Sequence, residues 1–324
     1  MAVRRILVLG GTGFIGTRIV RLLGASTDYR VMVPTRRIER AKHLLVSPVV
    51  SVVLADIHDD GVLSALVAQA DVVINLVGIL HSRPARRGQP YGPDFEAQHV
   101  LLPRRVVAAC VQHGVGRYLH MSALGADAHG PSMYQRSKAA GEVEANAGAQ
   151  SGLQTVIFRP SVVFGEGDRF LNLFAGLQKR FPVLPLGSAE ARFQPVYVGD
   201  VAQAFKRAID QQALAGKTFE LGGPRVYSLR ELVRLAGWMV GRNRPILPLP
   251  SSAALLQAWL LEHLPGKLMS RDNVASMRVD NVLGAPISAE LQLTPTALED
   301  AAPLYLAPRN EQRQFDLFRS KAGR

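Results

Sequence analysis

Three groups of residues in this 324-residue chain have the types and spacing to do chemistry. The first is Gly10-Gly-Thr12-Gly13-Phe14-Ile15-Gly16, which fits Gly10-x-x-Gly13-x-x-Gly16 and also Gly11-x-Gly13-x-x-Gly16. In such a loop the early glycines permit a tight turn and let the backbone approach a pyrophosphate, and the last lets helix and strand pack closely. The phosphates rest on a helix N-terminus, where free N–H groups and the helix dipole favour anions. A plain tight turn could hold the same glycines. The β-branched run before them and the helical pattern after them favour dinucleotide binding.

The second group follows about 20 residues on, where an NAD site usually carries an acid for the ribose hydroxyls. Here the second strand ends in Val33-Pro34-Thr35-Arg36-Arg37. A guanidinium pairs with a 2′-phosphate that a carboxylate would repel, so Arg36, with Arg37 beside it, predicts NADP(H) over NAD(H). A solvated pair of surface arginines is the alternative. The third group is Ser122 with Tyr134-Gln-Arg-Ser-Lys138, whose phenol and ammonium at i and i+4 share one helix face. Tyr134 would exchange a proton with a substrate oxygen that Ser122 polarises. Lys138 would lower the phenol pKa and hold the nicotinamide ribose. A helix-surface pair would give the same spacing.

These groups need a scaffold, and the first half of the chain supplies one. Short apolar runs at Arg5–Leu9, Tyr29–Val33, Val49–Leu54, Val72–Leu76, Tyr118–Ser122 and Thr155–Arg159 alternate with helical patterns. The helices are expected at Phe14–Leu23, Ile38–Leu44, Gly61–Gln69, Phe95–His113 and Ser132–Ala149, with Pro103 kinking or breaking the fourth. Alternation of this kind predicts a doubly wound parallel α/β sheet of Rossmann type. Asp56, after the third strand, could accept from an adenine amino group while Ile57 packs on the ring, or it could cap the next helix. Asn75, heading Asn75-Leu76-Val77-Gly78, ends the fourth strand at the sheet edge where such folds bind ligands, or satisfies a turn there.

Beyond Arg159-Pro160 the alternation loosens. A strand at Phe193–Val198, a helix at Val201–Gln211, a strand at Thr218–Leu221 and a helix at Ser228–Val240 are expected. The run Pro245-Ile-Leu-Pro248-Leu-Pro250 suits neither helix nor central strand. An apolar helix with Trp259 follows at Ser251–Leu264. The expected organisation is a Rossmann domain over 1–160, completed by segments near 193–223, a smaller mixed α/β lobe over 161–307 and a polar tail over 308–324.

Composition narrows the classes further. The chain is 48% hydrophobic and 20% charged, enough apolar content for a large core, which excludes disorder. A single cysteine, Cys110, excludes a disulfide framework, and none of the 8 histidines has metal-ligand spacing. No apolar run reaches the roughly 18 residues of a membrane span. The N-terminal Arg4-Arg5 and Ile6–Leu9 imitate a signal peptide without a cleavage site, so a cytoplasmic protein is expected. The net charge of +12 favours anionic surfaces. Scattered arginines without a recognition motif argue against nucleic acid. The apolar 251–264 helix, flanked by Lys267 and Arg271, could lie peripherally on the inner face of the cytoplasmic membrane or pack on the sheet domain.

Gly10–Gly16, Asp56, Asn75, Ser122, Tyr134, Lys138 and Arg159-Pro160-Ser-Val-Val163-Phe-Gly165 together resemble the extended and atypical short-chain dehydrogenase/reductases. Met121-Ser-Ala-Leu-Gly-Ala-Asp127, Glu166-Gly-Asp168-Arg169-Phe170, Gln194–Ala202, Gly216–Pro224 and Ser270-Arg-Asp-Asn273 sharpen the likeness. They are similar to the family of subunit 9 of respiratory complex I and its free-standing bacterial relatives. The resemblance implies an NADP(H)-binding Rossmann domain, with Pro160 and Val163 among the cofactor contacts. It also implies a structural or regulatory role in a respiratory or quinone-related assembly. The alternative it leaves is an active NADP-dependent oxidoreductase or sugar-nucleotide epimerase using Ser122, Tyr134 and Lys138. Two departures bear on turnover: a short Ser122–Tyr134 segment, and Gln98-His99-Val100 where active members often carry a helix Asn.

Overall fold

A computed structural model describes residues 3–263 and 269–307. Its centre is a seven-stranded sheet in which every pairing is parallel. The strands are β1 (Arg4–Leu9), β2 (Tyr29–Thr35), β3 (Val50–Leu54), β4 (Val72–Asn75), β5 (Arg117–Met121) and β6 (Gln154–Pro160), with β11 (Thr218–Leu221) at the edge. Their order is β11-β6-β5-β4-β1-β2-β3. Parallel strands buried on both faces must be apolar nearly throughout, which is why these segments read as continuous runs. The order reverses between β1 and β4, where Leu9 is in register with Asn75. A crevice at the carboxyl ends of the strands opens at such a switch point.

On one face lie α1 (Phe14–Leu23) and, from later in the chain, α7 (Val198–Asp210), burying Ile19, Val20, Val201 and Phe205 against the sheet. The other face carries α2 (Asp60–Val67), α3 (Pro93–Phe95), α4 (Leu102–Gln112) and α5 (Met133–Asn146), packed over Leu7, Leu9, Val73 and Tyr118. The connection Ile38–Leu44 is helical as expected but wound as a 3₁₀ helix. The single helix expected over Phe95–His113 is instead α3 and α4 joined by a π-helical stretch, Glu96–Leu101. Pro103 causes this locally: it has no N–H for the His99 carbonyl four residues back, and a wider turn relieves the ring clash.

The lobe contains β7 (Val163–Phe164), α6 (Leu171–Arg180), β8 (Leu184–Gly187), β9 (Arg192–Phe193), β10 (Val196–Tyr197), β12 (Tyr227–Ser228), α8 (Leu229–Met239), β13 (Ile246–Leu249) and α9 (Ser251–Glu262). It closes with α10 (Arg271–Ser276), α11 (Leu298–Ala301) and α12 (Pro303–Leu306). The strand expected over Phe193–Val198 is two short bridges, β9 and β10, paired with lobe strands β12 and β7. Pro195 interrupts the run, so β11 alone from this region extends the main sheet. The proline-rich run does form a strand, β13, paired only with β8 in a two-stranded ribbon, an edge setting where prolines are tolerated. Leu264, Lys267 and the 308–324 tail lie outside the described residues. No helix among the described residues is long and apolar enough to cross a membrane.

Candidate functional site: a nucleotide cradle beside the Tyr134–Lys138 helix

The glycine loop sits at the switch point and each of its glycines meets a local demand. Gly10 has φ +79°, a left-handed conformation, and a Cβ there would lie 3.2 Å from Leu76 C and Val77 N. At Gly16 a Cβ would come within 2.3 Å of the Gly10 carbonyl oxygen, so only hydrogen lets α1 press onto the loop. Gly13 is the residue before α1, and no side chain caps that end; the first turn also carries no acid. Its leading N–H groups are therefore free to meet an anion, and the cradle fits the pyrophosphate of a dinucleotide. Thr12, Phe14 and Ile15 complete the turn into α1, with Ile15 packed on the sheet core.

Across the crevice, Asn75 is wholly buried. Its Oδ1 accepts from Val77 N at 3.1 Å and its Nδ2 donates to the Tyr118 hydroxyl at 3.2 Å. Asn75 thus shapes the Leu76-Val77-Gly78 turn. Arg36 and Arg37 are exposed just beyond β2, and neither guanidinium pairs with an acid among the described residues. Thr35 fixes their turn, its Oγ1 donating to Arg37 O at 3.0 Å. Asp56 lies two residues past the end of β3 and accepts from His58 N at 3.1 Å. The cap of α2 is Asp59, which accepts from Val62 N at 2.9 Å, so Asp56 is not the helix cap. Ile57 packs against the sheet core beside it.

Tyr134 and Lys138 stand on α5 next to this crevice. Lys138 is buried, and its ammonium donates to Met121 O at 2.9 Å. Desolvation brings its pKa down to about 8, against a smaller upward pull from Glu142. Burial pushes the Tyr134 phenol up to about 12. Its ring meets Phe95 and His99 edge-on, with centroids 6.0 and 5.6 Å away. Ser122 is turned elsewhere: its hydroxyl donates to Glu142 Oε1, and Glu142 forms a two-point pair with Arg159 at 2.8 and 2.6 Å. The serine hydroxyl is therefore engaged in a Ser122–Glu142–Arg159 network. Pro160 accepts from Leu124 N at 2.8 Å and Val163 is half-buried in β7.

Two residues that organise this region carried a weaker signal in the sequence. His99 lies in the π-helical stretch with its Nε2 accepting from Ile79 N at 3.1 Å. That bond leaves the proton on Nδ1, 2.9 Å from Ser137 Oγ, which in turn donates to Tyr134 O at 2.8 Å. Burial and then the nearby Lys138 hold the imidazole well below its ordinary pKa, so it is neutral at pH 7. His99 was visible only as a departure from the helix Asn. Asp272, within the Ser270–Asn273 segment, reaches from the lobe to the start of α5. It accepts from Met133 N at 2.7 Å and Tyr134 N at 3.1 Å. A carboxylate at a helix N-terminus meets both the free N–H groups and the dipole. Asp168 is likewise structural: it is buried and accepts from Gly165 N, Leu171 N and the Tyr305 hydroxyl.

Among the described residues no cluster of three or more His, Cys, Asp or Glu is placed to hold a metal. Cys110 is buried, its thiol raised to about 12 by desolvation.

Comparison with known proteins agrees with this geometry. Residues 6–222 match the NAD dependent epimerase/dehydratase family. The chain is 36% identical over 258 residues to NADH dehydrogenase (ubiquinone) 1 alpha subcomplex subunit 9 of Arabidopsis thaliana, covering 76% of this chain and 61% of that protein, so it spans less than two thirds of the plant relative. The mouse protein of the same name is 32% identical over 309 residues, covering 90% and 77%. A ceramide reductase of Caulobacter vibrioides is 29% identical over 262 residues, covering 78% of each. In fold the chain is similar to MoeE5 in complex with UDP-glucose and NAD (TM-score 0.71, 20% identity, 97% of this chain and 99% of that one). The glycine cradle, the parallel sheet and these relatives agree: the chain belongs to the NAD dependent epimerase/dehydratase family and, within it, to the proteins similar to complex I subunit 9.

Proposed function

We propose that this chain holds NADP(H) as a structural or regulatory element of a respiratory or quinone-related assembly, in the cytoplasm or at the inner face of the cytoplasmic membrane. The observation that carries this reading is the glycine cradle with Arg36 beyond it, a guanidinium at the end of β2 without an acid partner among the described residues. The engagement of Ser122 with Glu142 supports a holding role over turnover, since the hydroxyl that would polarise a substrate is already in use. Calorimetric titration tests the cofactor. Wild type should bind NADPH roughly tenfold or more tighter than NADH, as a charge-assisted phosphate contact implies, and Arg36→Asp should erase the difference. Tighter NADH binding by wild type would remove the preference, and binding of neither would remove the whole reading.

The alternative is an NADP-dependent oxidoreductase or epimerase. It is favoured by one observation, a buried Lys138 with an amine near pKa 8 one helical turn from the half-buried Tyr134 on α5. In that role Lys138 would hold the nicotinamide ribose while Tyr134 exchanged a proton with the substrate oxygen. Tyr134→Phe should then abolish a reaction that wild type performs and leave NADPH affinity nearly unchanged. A nucleotide that co-purifies and stays inert towards carbonyl compounds favours the holding role.

A further inference from the structure

One side of the lobe reverses the usual burial pattern. α9 is apolar around most of its circumference, yet only Ala254 and Ala258 are buried, while Leu256, Trp259 and Leu260 are exposed. The alanine stripe seats the helix on β8. A Cβ at Gly187 would lie 2.7 Å from Ala254 Cβ, and Gln257 Nε2 donates to Pro185 O at 2.9 Å. Contacts move back along β8 as α9 advances, so the helix runs antiparallel to the strand and brings Trp259 and Leu260 to where β8 begins. Val183 is exposed at that point, and Leu247, in register with Pro185, is exposed beside it. α6 and α8 end on the same side, tied by Gln178, whose Nε2 donates to Val233 O and whose Oε1 accepts from Arg244 N. Exposed Phe181 and Trp238 mark those two ends.

Charge separates this face from the rest of the surface. α6, β8 and β13 contain no Asp or Glu, and the acids of α8 and α9 are already tied, Glu231 to Ser228 and Glu262 to Arg271. Lys179, Arg180, Arg242 and Arg244 gather where α6 and α8 end, none of them ion-paired among the described residues, and Arg244 Nε is buried without a hydrogen-bond partner. Two copies of so uniformly positive a face repel each other, which disfavours self-association. Aromatic and aliphatic side chains framed by unpaired cations match a bilayer interface, which combines apolar burial with attraction to anionic headgroups.

We propose that this face docks on a bilayer containing anionic phospholipid, with Phe181, Trp238 and the Leu256–Trp259–Leu260 edge in the interface and the cations on headgroups. This deepens the peripheral attachment in the proposed function by naming its surface and lipid chemistry. Trp238 and Trp259 are the two tryptophans of the chain, so intrinsic emission reports on this face alone. The full chain should sediment with phosphatidylcholine–phosphatidylglycerol vesicles with a blue-shifted emission, and bind phosphatidylcholine vesicles far more weakly. The paired reversal Lys179→Glu/Arg180→Glu should weaken anionic-vesicle binding about tenfold or more, at ~1 kcal/mol for each basic residue, with NADPH affinity unchanged. Equal binding to both vesicle types, or binding untouched by the reversal, overturns the proposal. So does a blue shift that grows with protein concentration without lipid, which would mean that a second copy covers the face. No binding to any vesicle overturns both this surface and the peripheral attachment, while NADPH titration of the same sample judges the nucleotide reading separately.

Discussion

The two walls of the nucleotide crevice are built by different means. On the β1–α1 side, backbone shape does the work: within seven residues, Gly10 takes a left-handed turn and Gly16 lets α1 press onto the loop where a Cβ would stand 2.3 Å from the Gly10 carbonyl oxygen. On the α5 side, side chains do the work, and their polar atoms are tied to distant partners. Lys138 holds the Met121 carbonyl, Ser122 holds Glu142, and Asp272 comes from the lobe to meet the leading N–H groups of α5. The first wall is a local excluded-volume problem and needs only glycine. The second is a network that exists only after the sheet, α5 and the lobe have come together, and the same residue types can be directed there towards a substrate or into the scaffold.

Three perturbations would sharpen or break that contrast. The largest effect is expected from Lys138 and pH. With its folded pKa near 8 against an ordinary 10.5, the fold below pH 8 carries the cost of burying an ammonium that the unfolded chain keeps in water. Between pH 8 and 10.5 the folded amine is neutral while the unfolded one still binds a proton, so stability rises with pH through that window. The gain is about 3 kcal/mol. Urea unfolding of wild type and Lys138→Met at pH 7 and at pH 10.5 should show the difference between them moving in favour of wild type by that order. A pH-independent difference would mean that the ammonium is well solvated and the α5 wall less closed than described.

Next is Glu142→Ala, which strips partners from both Ser122 and Arg159. Removing one member of a buried pair costs roughly 3–5 kcal/mol. Arg159 keeps some solvent contact, so a loss of about 2–3 kcal/mol is expected, read by urea unfolding. A neutral result would show that the network contributes nothing to the fold and would leave Ser122 free for substrate. The glycine wall comes last because its clearest effect is on binding. Gly16→Ala forces α1 away from loop backbone that cannot yield cheaply, at about 2–3 kcal/mol, the upper part of the range for overpacking. Its signature is in binding, because NADPH affinity should fall at least tenfold while Glu142→Ala leaves that affinity nearly intact. Equal losses of affinity in both variants would erase the distinction between the walls.

How much of this was legible beforehand follows the same division. The strands β1 to β6 and the glycine loop could be read because their signals are local: an apolar run per strand, a glycine per steric demand. Helix winding was less legible. The Phe95–His113 pattern has the right periodicity for one helix, and Pro103 marks trouble, but whether the chain kinks, breaks or widens into a π turn depends on what the freed carbonyl meets. The structure turns the His99 carbonyl towards Gly141, where a Cβ would stand 2.1 Å from it. The segment 193–198 looked like one sheet strand, yet its two halves pair with different lobe strands, a choice that no local pattern encodes.

The amino-acid sequence alone made the strands of the parallel sheet, the glycine turn and the pair of arginines after β2 legible, because the signal for each lies in near neighbours in the chain. The tertiary structure alone decided which way Ser122 points, that His99 is a neutral acceptor for the loop after β4, and that α9 buries its alanines and leaves its tryptophan outside. Those outcomes depend on which groups from remote segments desolvate or pair with a given side chain. That competition is settled only when the segments pack.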